Sequence, residues 1–359
     1  MIFSPKAASS PALHHRIPEA VRRPTISTAA TAKIVRFHTL GGPEVLQLDE
    51  LPLPEPKTGE IRLRVKAIGL NRAEVMFREG HYLIAPELPS KLGYEASGII
   101  EAIGPGVDSS WLGKTASSVP AFPINTYGTY GEVAILPVSA MAEYPAKLSY
   151  EEGTSIWMQY VTAYGGLITN GKLQRGDFVI ITAASSSVGL AAIEMVKAEG
   201  GISIATTRTA EKKAELLSFG ADHVIVTDEE DLVARVNQIT GNKGARIVFD
   251  PIGGKGLTAL ANATARGGII IEYGALATDP TPYPLFTALG KALTIRGYTL
   301  FELVAEPALL DKAKKYVFEH IEKGNFKPRV DKAFPLSKIV EAHRYMESNA
   351  QIGKIVVTV

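Results

Sequence analysis

The stretch from Phe178 to Arg208 constrains this chain most, because it reads as strand, tight turn, helix and strand in succession. Val179, Ile180 and Ile181 form an apolar run too short for a helix, which suits a buried parallel strand. Ala183 to Ser187 are all small, so the backbone there can come close to a ligand. Val188 to Ala198 has helical spacing, and Gly200-Gly201 ends that helix. Ile202 opens the next strand. A turn of small residues leading into a helix offers free N–H groups and a positive dipole to phosphate, the arrangement of a dinucleotide-binding unit.

Aligned to G-x-G-x-x-G, the turn reads Ala184, Ser186 and Gly189, so only the glycine needed for close helix–strand packing remains. Ser185, Ser186, Ser187, Val188 and Gly189 are the candidate phosphate contacts. The second strand ends in Thr206-Thr207-Arg208, with Lys212 following and no acid before Glu211. An acid at that strand end receives the ribose 2′-hydroxyl of NAD, whereas cations suit the 2′-phosphate of NADP. Thr207, Arg208 and Lys212 therefore point to NADPH. Tyr273 and Gly274 follow a later strand end, where ligands gather in such sheets, and are expected to contact the nicotinamide through their backbone.

A chain of 359 residues exceeds what one compact core usually holds, so two domains are expected. The formal net charge of +1 gives no drive toward nucleic acid, and no basic stripe with interleaved aromatics occurs. Cysteine is absent, which removes disulfides, thiolate nucleophiles and Cys-based zinc sites. The 7 histidines do not cluster. No apolar run is long enough to span a bilayer. Residues 1–31 are Ser-, Arg- and Pro-rich with Glu19 the only acid, and read as a disordered or targeting extension. The expected location is cytoplasmic, or mitochondrial if that extension is a transit peptide.

Folded sequence is expected from Ala32. Ile61 to Ile68 alternates as a half-exposed strand, Gly69 to Tyr82 reads as a polar loop, and Leu92 to Ile103 as a strand pair. Short strands with many Gly and Pro continue to Tyr144. From Tyr150 to Thr169 the period is helical, and from Phe178 strands and helices alternate: Glu211–Phe219, Leu232–Thr240 and Gly256–Ala265 as helices, Val224–Val226, Ile247–Asp250, Ile269–Tyr273 and Leu293–Tyr298 as strands. Such alternation makes a parallel sheet. Leu309–Lys323 and Ile339–Ser348 read as helices, and Ile355–Val359 as a terminal strand.

The motifs Gly69-Leu70-Asn71-Arg72-Ala73-Glu74, Gly93-Tyr94-Glu95-Ala96-Ser97-Gly98, Thr162-Ala163-Tyr164-Gly165, Ala183 to Gly189 and Asp250-Pro251-Ile252-Gly253-Gly254 together resemble the zinc-independent medium-chain dehydrogenase/reductase family. The resemblance is to its quinone oxidoreductase and enoyl reductase branches and covers the chain from about residue 32 onward. It implies an α/β protein with a GroES-like β-rich domain built from both chain ends, residues 32–155 and 306–359. A Rossmann NADP-binding domain with a doubly wound parallel sheet, residues 156–305, is inserted between them. Zinc members of the family hold metal at positions occupied here by Asn71 or its neighbours, Tyr94 and about Met158, none a soft ligand for Zn²⁺. The expectation is no metal.

The loop after Asn71 is similar to that of mitochondrial 2-enoyl thioester reductases, whose tyrosine there is the proton donor, so the resemblance makes Tyr82 the candidate acid. Hydride reaching the β-carbon of a conjugated carbonyl leaves charge on oxygen, and a phenol suits a basic enolate. Asn71 is a candidate to orient the substrate carbonyl or the ribose, or else an Asx-turn. Gln159 and Thr162 are at the start of the helix region that borders the nicotinamide in relatives, with Gln159 read as a helix-face residue rather than a catalyst. The implied activity is NADPH-dependent, metal-independent hydride transfer to a conjugated C=C bond or a quinone as small-molecule acceptor. The alternatives are an aldehyde or ketone reductase, and a non-enzymatic nucleotide-binding member of the crystallin kind. The resemblance also implies a homodimer.

Overall fold

A computed structural model describes residues 1–4 and 30–359. Most of the N-terminal extension lies outside the described residues, and the first strand, Thr31–Phe37, starts one residue before the expected onset.

Two large sheets divide the chain. The first has seven strands in the order Val330–Pro335, Lys354–Thr358, Glu60–Gly69, Glu95–Ile103, Thr115–Ser118 and Met141–Ala142, with Val133–Pro137 paired to Glu60–Gly69. Both ends of the chain therefore meet in one sheet: Val357 of the last strand is paired with Ile68. Ile61, Leu63 and Val65 alternate into the core, as their spacing requires, and Ile68 joins them after a register shift between Val65 and Ala67. A small antiparallel sheet of Thr31–Phe37, Leu46–Pro52 and Ser90–Lys91 flanks it.

The second sheet is wholly parallel, in the order His223–Val226, Ile202–Thr207, Phe178–Ile181, Ala245–Asp250, Thr264–Glu272 and Thr294–Gly297. The order reverses direction beside Phe178–Ile181, which places the topological switch point at the end of that strand. Helices Ser187–Ala198, Lys213–Phe219, Leu232–Thr240 and Gly256–Ala263 connect its strands. Helix Pro307–Glu322, grouped by sequence with the outer domain, buries Leu310, Ala313, Val317 and Ile321 in the cluster that also holds Ile193, Met195 and Val196.

Three elements differ from expectation. The segment after Gly69 carries a helix, Arg72–Arg78, where a loop was expected. Tyr150–Thr169 is not one helix: it comprises Tyr150–Gly153, Trp157–Ala163 and a π-helical stretch Tyr164–Asn170. There Gly165 and Gly166 lie hard against Tyr298 and Phe249, where a Cβ would meet the Tyr298 hydroxyl at 1.8 Å and a Phe249 ring carbon at 2.4 Å. The helix from Gly256 stops at Ala263, because Thr264 already pairs with Ala245 in the sheet. Among the described residues no helix is long and apolar enough to cross a membrane.

Candidate active site

The small-residue turn is built as its composition demands. Ala183 takes a positive φ of 46°, tightening the chain after the strand. Ser186 caps helix Ser187–Ala198, its Oγ accepting from Gly189 N at 3.0 Å. A Cβ on Gly189 would stand 2.6 Å from the Ala184 backbone, so only glycine lets helix and strand approach this closely. The first N–H groups of the helix, at Ser187 and Val188, have no intrahelical acceptor and face out of its end.

The last loop of the outer domain docks on this turn. Gly353 N donates to Ser185 O at 2.9 Å. Lys212 Nζ donates to Asn349 O at 2.7 Å, Gln351 O at 2.8 Å and Ser185 Oγ at 3.3 Å. Lys212 thus bridges the dinucleotide strand end and the C-terminal loop, a contact between residues far apart in sequence. Arg208 is exposed and makes no side-chain hydrogen bond or ion pair among the described residues. Thr207 is half-buried beside it. On the other side of the cleft, Thr162 is buried on helix Trp157–Ala163, and Gly274 lies against the Pro251 backbone. Among the described residues, the Tyr273 hydroxyl, Gln159 Oε1 and Gln351 Oε1 are buried without a hydrogen-bond partner. Exposed cation, open helix end and orphaned polar atoms are what a dinucleotide with a 2′-phosphate would satisfy.

Tyr82 lies on the outer-domain side of a cavity of about 260 Å³, lined also by Tyr94, Phe122, Ile124 and Phe301. Phe301 comes from helix Leu300–Val304, just beyond the last strand of the parallel sheet, so the cavity spans the two domains. The Tyr82 ring meets Phe77 edge-on at 6.4 Å. Burial pushes its phenol up, while interaction with the Tyr94 hydroxyl pulls it partly back. Among the described residues, no Lys, Arg, His, Asp or Glu lines the cavity.

Asn71 sits behind that wall as N-cap of helix Arg72–Arg78 and is buried. Its Oδ1 accepts from Lys354 Nζ at 2.6 Å, and its Nδ2 donates to Glu95 Oε2 at 3.2 Å and Gly69 O at 3.3 Å. Its backbone N–H goes to Glu74 at 2.6 Å. Both ends of the Asn71 amide are thus engaged inside the protein. Glu95 completes the cluster, pairing with Lys354 and accepting from Met158 N at 2.8 Å. Tyr127 and Tyr130 do not line the cavity; their hydroxyls donate to Glu60 and Glu74.

Tyr94, Phe122 and Phe301 escaped sequence reasoning. Tyr94 carries a signal, the Gly-Tyr-Glu motif, but it was weighed only as a metal ligand. The two phenylalanines had none, being brought in from separate loops.

The parallel sheet with its open helix end, facing a phenol-lined cleft on a β domain, defines an oxidoreductase of alcohol-dehydrogenase architecture. A family model described as "Alcohol dehydrogenase GroES-like domain" matches residues 57–146, and one described as "Zinc-binding dehydrogenase" matches residues 219–357. Quinone oxidoreductase 1 of Escherichia coli (strain K12) is 32% identical over 322 residues, 89% of this chain and 97% of that protein. The 2-haloacrylate reductase of Burkholderia sp is 28% identical over 326 residues, 89% and 97% of the respective chains. The synaptic vesicle membrane protein VAT-1 homolog of Danio rerio is 31% identical over 321 residues, 85% of this chain; the chain spans 65% of that relative's length. Among solved structures, Escherichia coli quinone oxidoreductase complexed with NADPH superposes with a TM-score of 0.83 at 31% identity, covering 91% of this chain and 100% of that one. An NAD-dependent alcohol dehydrogenase gives 0.84 at 31%, covering 91% and 99%. The chain belongs to the medium-chain dehydrogenase/reductase family, in its quinone oxidoreductase branch.

Among the described residues, the zinc named in one of those descriptions finds no donor set. Asn71 Oδ1 is taken by the Lys354 ammonium, Tyr94 presents a phenol to the cavity, and Met158 offers a thioether. A Zn²⁺ ion beside a buried ammonium would meet like charge and lack thiolate or imidazole ligands.

Proposed function

We propose that this protein is an NADPH-dependent reductase of conjugated carbonyl compounds, with Tyr82 as its proton donor. The observation that carries the reading is the Tyr82 phenol in a mostly apolar cavity of the β domain, walled on its far side by Phe301 from just beyond the parallel sheet. NADPH, when bound, supplies the hydride. The chain's own part is to hold the diphosphate at Ser185 to Gly189, to meet the 2′-phosphate with Arg208 while Lys212, its donors engaged by Ser185, Asn349 and Gln351, adds positive charge nearby, and to seat the nicotinamide near Thr162, Tyr273 and Gly274. The aromatic walls around Tyr82 exclude water from the acceptor, and its phenol delivers a proton to the carbanionic carbon. Asn71 acts through position: it starts the helix that leads to Tyr82 and anchors it to Lys354. The 2-haloacrylate relative's name supports a polarised C=C acceptor.

Quinone reduction is the second reading, favoured by the name of the Escherichia coli relative and by aromatic walls that suit a flat ring. We further propose a homodimer joined along the open edge of strand Thr294–Gly297.

NADPH oxidation with 1-octen-3-one and with 1,4-benzoquinone, followed by nicotinamide absorbance, tests the reading. Tyr82→Phe is expected to lower enone turnover by about 100-fold, the scale of a lost general acid, and to spare the quinone. Enone turnover unchanged in Tyr82→Phe would remove Tyr82 from the chemistry.

A further inference from the structure

The cavity that holds Tyr82 changes character along its length. Its floor is sealed, with Tyr94, Phe122 and Ile124 all buried. Its lip is open: Leu83 and Ile84 line it while remaining 66% and 43% exposed. Large apolar side chains held in water at the end of an apolar cavity mark a surface that a ligand covers. The segment that presents them is braced. Asn125, next to Ile124 of the floor, clamps it from two directions, its Nδ2 donating to Ala85 O at 2.9 Å and its Oδ1 accepting from Glu87 N at 3.1 Å. The backbone just beyond Ile84 is thereby tied to the floor, and lip and floor form one continuous apolar track. Among the described residues lining that track, only the two phenols have a polar side chain.

We propose that the cavity takes an uncharged enone with an unbranched alkyl tail, its carbonyl end at Tyr82 and its tail running out over Leu83 and Ile84, rather than the thioester of a polyanionic carrier. This rests on the reading of the cavity as the acceptor site and names the substrate class. A tail laid over the lip removes Leu83 and Ile84 from water together with its own methylenes, so each methylene adds to affinity until the tail passes the lip. The phosphates of a carrier such as coenzyme A would instead have to leave the site across that apolar lip, where no lining side chain carries a positive charge.

The test measures kcat/KM at saturating NADPH for vinyl alkyl ketones of four to ten carbons. Calorimetric titration of the NADP⁺-loaded protein with saturated 3-alkanones follows the same series without turnover. Each added methylene is expected to raise kcat/KM and ketone affinity by about two- to fourfold until the tail clears the lip. In the double variant Leu83→Ser/Ile84→Ser the gain per methylene should fall below about 1.5-fold. Both side chains are exposed, so the fold should survive, and a cooperative thermal transition checks it. The slope is read within each protein, so a change in overall rate does not obscure it. The S-ethyl thioester of 2-octenoic acid should be turned over faster than 2-octenoyl-coenzyme A, which differs from it only in the carrier. A flat series in wild type, a slope unchanged in the double variant, or preference for the coenzyme A thioester would overturn the proposal. A slope in ketone binding without any enone turnover by wild type would keep the tail subsite and sink the reductase reading instead.

Discussion

The Lys354 ammonium and the Glu95 carboxylate form an ion pair sealed from solvent, with side-chain exposures of 0% and 1%. It joins the last strand of the chain to the strand that follows Tyr94, and Asn71 completes it. Removing one partner of such a pair strands the other charge in a low-dielectric interior, at a cost of about 3–5 kcal/mol. Lys354→Met is therefore expected to lower the unfolding free energy by about that amount in urea titration. Lys354→Met with Glu95→Gln should recover part of it. Full stability in Lys354→Met alone would show that the pair is hydrated.

Arg208 sits exposed at the end of strand Ile202–Thr207 without a protein partner among the described residues. A guanidinium–phosphate contact is charge-assisted and worth about 1.5–3 kcal/mol. Arg208→Ala should thus lower kcat/KM for NADPH by about 10- to 100-fold and leave NADH nearly unchanged. Equal losses with both cofactors would remove Arg208 from the 2′-phosphate site.

The parallel sheet was legible because its strands are apolar runs punctuated by capped helices; Leu232–Thr240 matches its expected bounds, with Asp231 capping and Gly241 in the left-handed region. Helix Arg72–Arg78 was hidden because half of what it buries is charged. Glu74 and Arg78 are interior, and their charges read locally as a polar loop. Their partners are distant: Arg78 meets His343 at 2.9 Å and Glu347 at 2.9 Å, both near the C-terminus. The same blindness applies to the site. Tyr82 is singled out by its loop, but Tyr94, which lines the same cavity, is a core aromatic by every local criterion. Lys354 reads as a solvated charge in a terminal strand, and only the packing of both chain ends into one sheet buries it.

Helix Leu285–Lys291 exposes Leu285, Phe286 and Leu289 at 50%, 87% and 68%, beside the unpaired edge of strand Thr294–Gly297. Large apolar side chains next to an open edge suit an interface, and the proposed homodimer would cover both at once. Light scattering is expected to give twice the 38.4 kDa chain mass. Phe286→Glu with Leu289→Glu should return it to one chain without loss of fold. A monomeric wild type would rule out the dimer.

Glu194, on helix Ser187–Ala198, is buried against Tyr160, whose hydroxyl donates to it at 2.6 Å, and Lys327 N, at 3.0 Å. Burial pushes its carboxyl up to about 7, with those hydrogen bonds opposing the rise. Between the ordinary carboxylate range and pH 7, the unfolded chain has released this proton while the folded chain retains it. Stability must then fall as pH rises through that window and level off above it. The group's share of the loss is roughly 2–4 kcal/mol. Glu272, also raised by burial and by Asp250, adds a slope of the same sign, so the measurement compares variants rather than reading wild type alone. Glu194→Gln keeps the size of the side chain and an acceptor for Lys327 N but cannot ionise. Urea unfolding at pH 5 and pH 8 should show wild type losing more stability than Glu194→Gln across that interval. The difference arises because wild type must ionise a buried carboxylate at the upper pH while the amide stays neutral. Parallel losses in both proteins would mean that water reaches Glu194 and that its titration is not linked to folding.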